Sequence, residues 1–325
     1  MRKIRDCLGI DISKDVFDVI DEKGKHYVFT NDYSGFRKFK KILTSNSHCV
    51  MEATGYYYCK LAYYLLENGY VVSVENALSI KRFIQMQLVK NKTDKADARM
   101  IQMYGERVDL KHWEGQTKDQ RACLQIIRLL ETYTKQSTAL KNKIHGEKVL
   151  GIPCKGVLRS LERMLRTVQK EIRSLEKELE TKVKVSHQTL LTNLKSIPGI
   201  GMKTASMLVV VTDGFTRFDS SSSLCSYSGI TPVLRQSGSS VRGRPRMSKV
   251  GNRKLRNLLF LCSLTASKYN KGCRELYQRI VAKGKSKKLA LIAVCNKLLK
   301  QAYGIAKSGL VYDESYRSLH PGYSS

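Results

Sequence analysis

The 325-residue chain is long enough for two domains of ordinary size, and its 42% hydrophobic content excludes wholesale disorder. Lys and Arg number 58 against 28 Asp and Glu, and the resulting formal charge of +30 speaks against a merely soluble basic protein. Nucleic acid is the favoured partner, because each phosphate contact releases condensed counterions. The nine cysteines are scattered without a CxxC pair, which argues against a zinc ribbon or a secreted disulfide framework. The opening MRKIRDCLGIDIS has no signal-like apolar run, and no stretch approaches the length of a membrane span. The expected location is the cytoplasm, at the nucleoid, with no membrane partner.

Residues 1–110 alternate strand and helix signals. Strands are predicted at Cys7–Ile12, Val16–Asp21, His26–Thr30, His48–Glu52 and Tyr70–Glu75, with a turn at Glu22-Lys23-Gly24. Helices are predicted at Phe36–Leu43, at Tyr56–Glu67 closed by Asn68-Gly69, and at Lys95–Arg107. This order predicts a mixed sheet with helices on its faces, an α/β N-terminal domain. Tyr56, Tyr57, Tyr58, Tyr63 and Tyr64 lie at helical spacing and are expected in the core, with stacking as the alternative. Residues 111–188 change character. Leu124, Ile127 and Leu130, then Leu158, Leu161, Leu165, Val168, Ile172, Leu175 and Leu179, recur at helical spacing between charges. Long amphipathic helices follow, a hairpin or a coiled coil broken near Gly151-Ile152-Pro153, whose apolar stripe a partner helix or a second copy would cover. Residues 189–325 read as a mainly α domain with one basic loop. Within Leu190–Val211, Ile197-Pro198-Gly199-Ile200-Gly201 fits a helix-hairpin-helix turn that offers backbone N–H groups at Gly199 and Gly201 to a phosphate. An ordinary helix–helix turn fits it equally.

Four carboxylates stand out by position. Asp11 ends the first strand in Gly9-Ile10-Asp11-Ile12-Ser13, and Glu52 ends the fourth in Val50-Met51-Glu52-Ala53-Thr54-Gly55. Asp94 and Asp97, in Lys92-Thr93-Asp94-Lys95-Ala96-Asp97-Ala98, share one face at a helix start. A carboxylate at the end of an apolar strand is costly to bury without a cation or a donor. Singly, Asp94 also fits a helix N-terminal residue favoured by the macrodipole, and Asp11 a plain strand end. Together they suit Mg²⁺, with two such ions able to stabilise the attacking and leaving oxygens of a phosphodiester.

The second constellation is basic. Across residues 230–300, eight Arg and ten Lys face Glu275 alone, so over half the net charge sits in under a quarter of the chain. Such concentration is a binding footprint. Arg235, Arg242, Arg244, Arg246, Lys249, Arg253, Lys254 and Arg256 are the candidate nucleic-acid contacts. Ser237, between Gln236 and Gly238, fits a nucleophile whose target phosphate is oriented by guanidinium groups, or a Ser/Gly loop that touches phosphates without chemistry. No histidine base lies nearby in sequence.

The motifs GIDISKD, MEATG and KTDKADA resemble the DEDD motifs of the Piv-type insertion-sequence transposases, within the RuvC-like branch of the RNase H superfamily. Asp15 and Asp18 fall outside the motif. Thr231-Pro232 to Arg256 resembles the second signature of the same enzymes: a proline, a Ser-Gly pair, basic residues, then Ser/Thr-Lys-x-Gly-Asn leading into a Leu-Arg helix. The resemblance covers roughly residues 6–110 and 190–310. It implies an RNase H-like first domain whose Asp11, Glu52, Asp94 and Asp97 hold Mg²⁺, with Mn²⁺ as a substitute. It implies a nucleophilic serine forming a covalent link to DNA, with Ser237 the best match and Ser239 and Ser240 close behind. It also implies a homo-oligomer acting on two DNAs with a structured (bridge) guide RNA. A site-specific, Mg-dependent recombinase is therefore expected. The alternatives are a RuvC-like structure-specific endonuclease using water as nucleophile, and a non-catalytic nucleic-acid-binding protein.

Overall fold

A computed structural model describes residues 6–88, 93–233, 236–237, 241–242, 246–248 and 250–315. The chain divides into two compact units, Met1–Gln116 and Thr117–Ser325.

In the first unit, β1 (Asp6–Ile12), β2 (Val16–Ile20) and β3 (His26–Thr30) lead into α1 (Tyr33–Lys40). Then follow β4 (Ser47–Glu52), α2 (Tyr58–Glu67), β5 (Val71–Glu75), α3 (Ala77–Met86) and α4 (Asp94–Arg107). The sheet order is β3-β2-β1-β4-β5. β1 runs antiparallel to β2 and β2 to β3, whereas β1, β4 and β5 are mutually parallel. The carboxyl ends of β1, β3, β4 and β5 therefore lie along one edge.

The alternation along β1 decides what covers each face. Leu8, Ile10 and Ile12 join Phe17, Phe36, Phe39, Met51, Leu61 and Leu65 in one core, which α1 and α2 complete. Cys7 and Val50 meet Ile80 of α3 and Ile101 of α4 on the other. Gly9 sits between these positions on the α4 side. A Cβ there would collide with the Ala98 carbonyl oxygen and the Gln102 amide, so α4 lies directly on the backbone of β1. Gly105 repeats the arrangement one turn below, where a Cβ would press on Cys7 Sγ and Val50 Cγ2.

The predicted strands of this unit are present. Three helix starts differ: α2 begins at Tyr58 rather than Tyr56, without a side-chain cap, and caps decide the other two. Asp32 accepts from the Gly35 N–H at 2.8 Å and opens α1 before Phe36. Thr93 opens α4 one residue before Lys95. The helix α3 was not expected. Only Ile80 and Phe83 of its ten residues are buried, too few for a periodic signal, and its Asn76 cap was the local cue.

In the second unit, α5 (Lys118–Val149) and α6 (Lys155–Lys195) form an antiparallel hairpin turned at residues 150–154, with Lys148 reaching Glu162 across it at 3.8 Å. The remaining helices are α7 (Met202–Thr212), α8 (Ser221–Tyr227), α9 (Arg253–Tyr269), α10 (Lys271–Ala282) and α11 (Lys287–Ser308). Between α8 and α9 lie four two-residue strands: β6 (Pro232–Val233), β7 (Gln236–Ser237), β8 (Val241–Arg242) and β9 (Arg246–Met247). The open end of the hairpin, with Cys123, Ile126, Ile127, Leu130, Leu179 and Val183, belongs to the same core as α7, α9 and α11. The i,i+4 pairs Lys143–Glu147, towards the turn, and Lys184–Glu180, beside the core residues Leu179 and Val183, are both 2.7 Å.

The helix before the Pro-Gly turn is the tail of α6, which runs on to Lys195 through a kink at His187 (φ −142°, ψ 38°), and the apolar helix expected after the turn is α7. One expectation is corrected. The expectation that no stretch reaches the length of a membrane span fails for α11, whose 22 residues are long and apolar enough by composition. Its buried residues, among them Val294, Cys295, Leu298 and Leu299, belong to the core of this unit, which accounts for the apolar run.

The contact at Gly9 yields a prediction. Gly9→Ala should lower the melting temperature by about 3–10 °C, since the clash is with helix backbone and cannot relax by a rotamer change. Differential scanning calorimetry measures it, and a melting temperature within about 1 °C of the parent would contradict the close α4–β1 contact.

Candidate active site

Asp11 is the penultimate residue of β1 and Glu52 the last of β4. The parallel register pairs Ile10 with Met51, so the two carboxylates stand next to each other at the carboxyl edge, on the face that α4 covers. Thr93 caps α4, its Oγ1 accepting from the Ala96 N–H at 3.1 Å. That cap puts Asp94 and Asp97 in the first helical turn. The helix macrodipole favours both charges there. Thr54 Oγ1 donates to Glu52 Oε1 at 2.6 Å and orients it.

The four carboxylates act on one another. Burial first, then the charges of Asp97, Asp94, Glu52 and Asp18, push the Asp11 carboxyl up to about 6. Each of the four sequence-predicted acids is therefore part of one electrostatic cluster. Among the described residues no three such side chains converge into a preformed metal cage. A divalent cation would offset the repulsion among these charges. The donor set is all oxygen, with one member held partly out of water, which fits a hard divalent ion.

Three further residues support the site, none of them in the motifs. Asp18 lies directly opposite Asp11 in the β1–β2 register, is 8% exposed, and holds His26 Nε2 at 2.6 Å. Period-two alternation in the first hairpin was the available signal for it. Glu75 is the register partner of Glu52 on β5, and burial raises its carboxyl. Asn31 donates through Nδ2 to Ser13 O at 2.8 Å and Tyr57 O at 3.3 Å, tying together the segments that follow β1 and β4. Nothing local in the sequence marks that bridge.

In the second unit, α6 and α7 are joined by the predicted Pro-Gly turn. Gly199 (φ +106°) is required there for close packing, since a Cβ would lie 2.8 Å from Ala266 Cβ of α9. Gly201 caps α7 with open space around it. The backbone of Ser237 pairs with Val241, and that of Gln236 with Arg242. Arg235, Ser239, Ser240, Arg244 and Lys249 lie outside the described residues, as do the side chains of Ser237, Arg242 and Arg246. Arg253 is exposed at the start of α9. Two of the predicted phosphate contacts turn inward. Lys254 is partly buried and donates to Ile127 O at 2.8 Å, and that burial lowers its pKa. Arg256 Nη1 donates to Ser228 O at 3.0 Å. The Gly-Asn pair before α9 has a structural duty too: Gly251 (φ +130°) packs against Tyr227 O, and Asn252 Oδ1 accepts from the Leu255 N–H at 3.0 Å.

A sheet edge carrying Asp, Glu and a helical Asp-x-x-Asp, followed by a basic helical unit, defines a DEDD-type transposase. Comparison with known proteins agrees. An IS110-type DEDD model described as "Transposase" matches residues 8–150, and one described as "Transposase IS116/IS110/IS902 family" matches residues 191–278. The chain belongs to the IS110 family of insertion-sequence transposases, and its mixed sheet is the RNase H-like part. It is 27% identical over 319 residues to the pilin gene-inverting protein of Moraxella bovis, covering 94% of this chain and 97% of that one. It is 25% identical over 317 residues to the transposase for insertion sequence element IS1111A of Coxiella burnetii, covering 88% and 82%. The chain is thus an enzyme, and the non-catalytic reading is set aside.

The electrostatic cluster carries a sign that can be tested. The folded chain holds the Asp11 proton more tightly than the usual carboxylate value of 3.8, so stability from this group is present below that value and lost as pH rises through about 6. Without divalent metal, Asp11→Asn should therefore raise the melting temperature at pH 7.5 by about 2–4 °C and leave it nearly unchanged at pH 4. Thermal melts at the two pH values check this, and equal effects at both would remove the cluster as the cause.

Proposed function

We propose that this transposase carries out site-specific DNA strand cleavage and rejoining through a serine–DNA link, with its carboxylates and its serine in separate parts of the chain. The observation that carries the reading is the clustering of Asp11, Glu52, Asp94 and Asp97 around one raised carboxyl, in a chain that also keeps a serine within its most basic stretch. In this reading residues 1–110 are the DEDD catalytic domain, 111–188 the coiled-coil oligomerisation region and 189–325 the serine-containing domain.

Asp11, Glu52, Asp94 and Asp97 hold Mg²⁺, with Mn²⁺ as a substitute. When bound, the divalent ion supplies positive charge where a phosphodiester gathers negative charge. Ser237 is the nucleophile. Its Oγ–P bond forms as the P–O bond to the departing strand breaks, and the hydroxyl proton ends on the departing oxygen. One phosphoester replaces another, so the step is reversible and the strand can be rejoined without an external energy source. Arg235, Arg242, Arg244, Arg246, Lys249 and Arg253 hold phosphates. Lys254 and Arg256 shape the turn that presents them, and Gly201 opens a backbone contact at the start of α7. The partners are DNA at the element end and target, a structured guide RNA, and further copies of the chain joined through the α5–α6 hairpin. The work is done at the nucleoid in the cytoplasm. Gene inversion and transposition, named for the relatives, both rearrange DNA.

Protein incubated with Mg²⁺, element-end DNA and RNA from the flanking non-coding sequence should yield protein-linked DNA on denaturing gels. Ser237→Ala and Asp11→Asn should each reduce the link by at least ~1,000-fold, as expected for groups that act as a unit. Cleavage that persists in Ser237→Ala without any linked strand would instead favour the water-using endonuclease.

A further inference from the structure

The tyrosines after Glu52 divide into two groups. Tyr58 and Tyr63 pack on Trp113, with ring centroids 6.4 and 4.8 Å away, and Tyr64 packs on Phe36 at 5.5 Å. These three are half-buried and take the packed positions that the spacing predicted. Tyr56 and Tyr57 do not: they are 62% and 46% exposed. They follow the Gly55 turn (φ +57°) at the same sheet edge as Asp11 and Glu52.

The exposed rings stand on a fixed backbone. Asn31 Nδ2 holds Tyr57 O and Ser13 O, and the Asn31 N–H donates to Asp15 O at 2.8 Å. Tyr57 then caps α2 with helical φ and ψ. Lys60, three residues on and one turn along the same side, is exposed and forms no ion pair with any described residue. Two exposed aromatic rings, a cation one turn away with no ion pair among the described residues, and a carboxylate cluster on the same edge match the chemistry of a nucleotide: faces for a base, a charge for its phosphate. A tyrosine ring loses little conformational entropy on stacking, and every base has a π-face to offer.

We propose that Tyr56 and Tyr57 form a stacking platform for an unpaired nucleobase of the DNA strand whose phosphodiester lies at the Asp11–Glu52 edge. Lys60 holds the adjoining phosphate. This rests on the reading of that edge as the strand-cleaving site, and it assigns the strand next to the cleaved bond an unstacked base at the moment of binding.

The test uses the full chain without divalent metal and a duplex with a short single-stranded gap carrying 2-aminopurine, whose fluorescence falls on stacking. The parent protein should quench the gapped probe and leave a fully paired control nearly unchanged. The double change Tyr56→Leu and Tyr57→Leu keeps apolar bulk without aromatic faces. It should remove the quench and weaken gapped-DNA binding roughly 10- to 100-fold, while the corresponding double Phe variant keeps both. Lys60→Gln should weaken binding and flatten its salt dependence with the quench retained. A parent chain that does not quench, or a Leu variant with the parent's melting temperature that quenches fully, overturns the platform. Asp11→Asn should still quench in this metal-free assay and, with Mg²⁺ restored, no longer cleave; if it then cleaves, the catalytic reading fails, whereas the quench reports on the stacking alone.

Discussion

How closely α4 lies on β1 governs the whole carboxylate edge. The first helical turn of α4 bears Asp94 and Asp97, and β1 bears Asp11. Gly9 lets β1 reach the backbone of α4 and Gly105 lets α4 rest on the Cys7 and Val50 side chains, which holds helix and strand close. Any side chain at Gly9 would lift the helix by the width of a methyl group. The glycine that looks like part of a strand motif is thus the spacer of the site. The Thr93 cap works with it, fixing where the first turn starts and so which residues occupy it.

The same edge concentrates unfavourable charge. Asp18 adds a carboxylate opposite Asp11, and Glu75 adds one beside Glu52. Like charges directly opposite on paired strands are destabilising, and burial makes each costlier. Local donors offset part of this: His26 for Asp18 and Thr54 for Glu52. Asp11 keeps the remainder as a raised carboxyl, the kind of perturbed group that clusters at functional sites.

The second unit treats charge differently along its length. On the hairpin, lysines pair with glutamates at one-turn spacing, an arrangement worth a few tenths of a kcal/mol per pair and useful mainly for solubility. From Arg253 to Lys300 the sequence carries a single acid, Glu275, and Lys254 meets the charges of Glu131 and Glu176 from elsewhere in the unit. Within this stretch, individual residues divide by direction. Arg253 faces solvent, whereas Lys254 and Arg256 close carbonyl groups of α5 and of the turn after α8.

By itself the sequence determined the five strands, both long helices of the hairpin, the four motif acids and the basic stretch. Each of these is written in local periodicity, charge or spacing, which the chain expresses wherever it folds. Tertiary structure decided what depends on residues far apart in the chain. It chose the partners of Asp11 on β2 and α4, the bridge from Asn31 to Tyr57, and the inward turn of Lys254 and Arg256. It also separated Tyr56 and Tyr57 from the tyrosines that follow them, although all five share one pattern. Helical spacing states which residues would share a face; the folded chain begins α2 at Tyr58 and so leaves Tyr56 and Tyr57 in the turn before it.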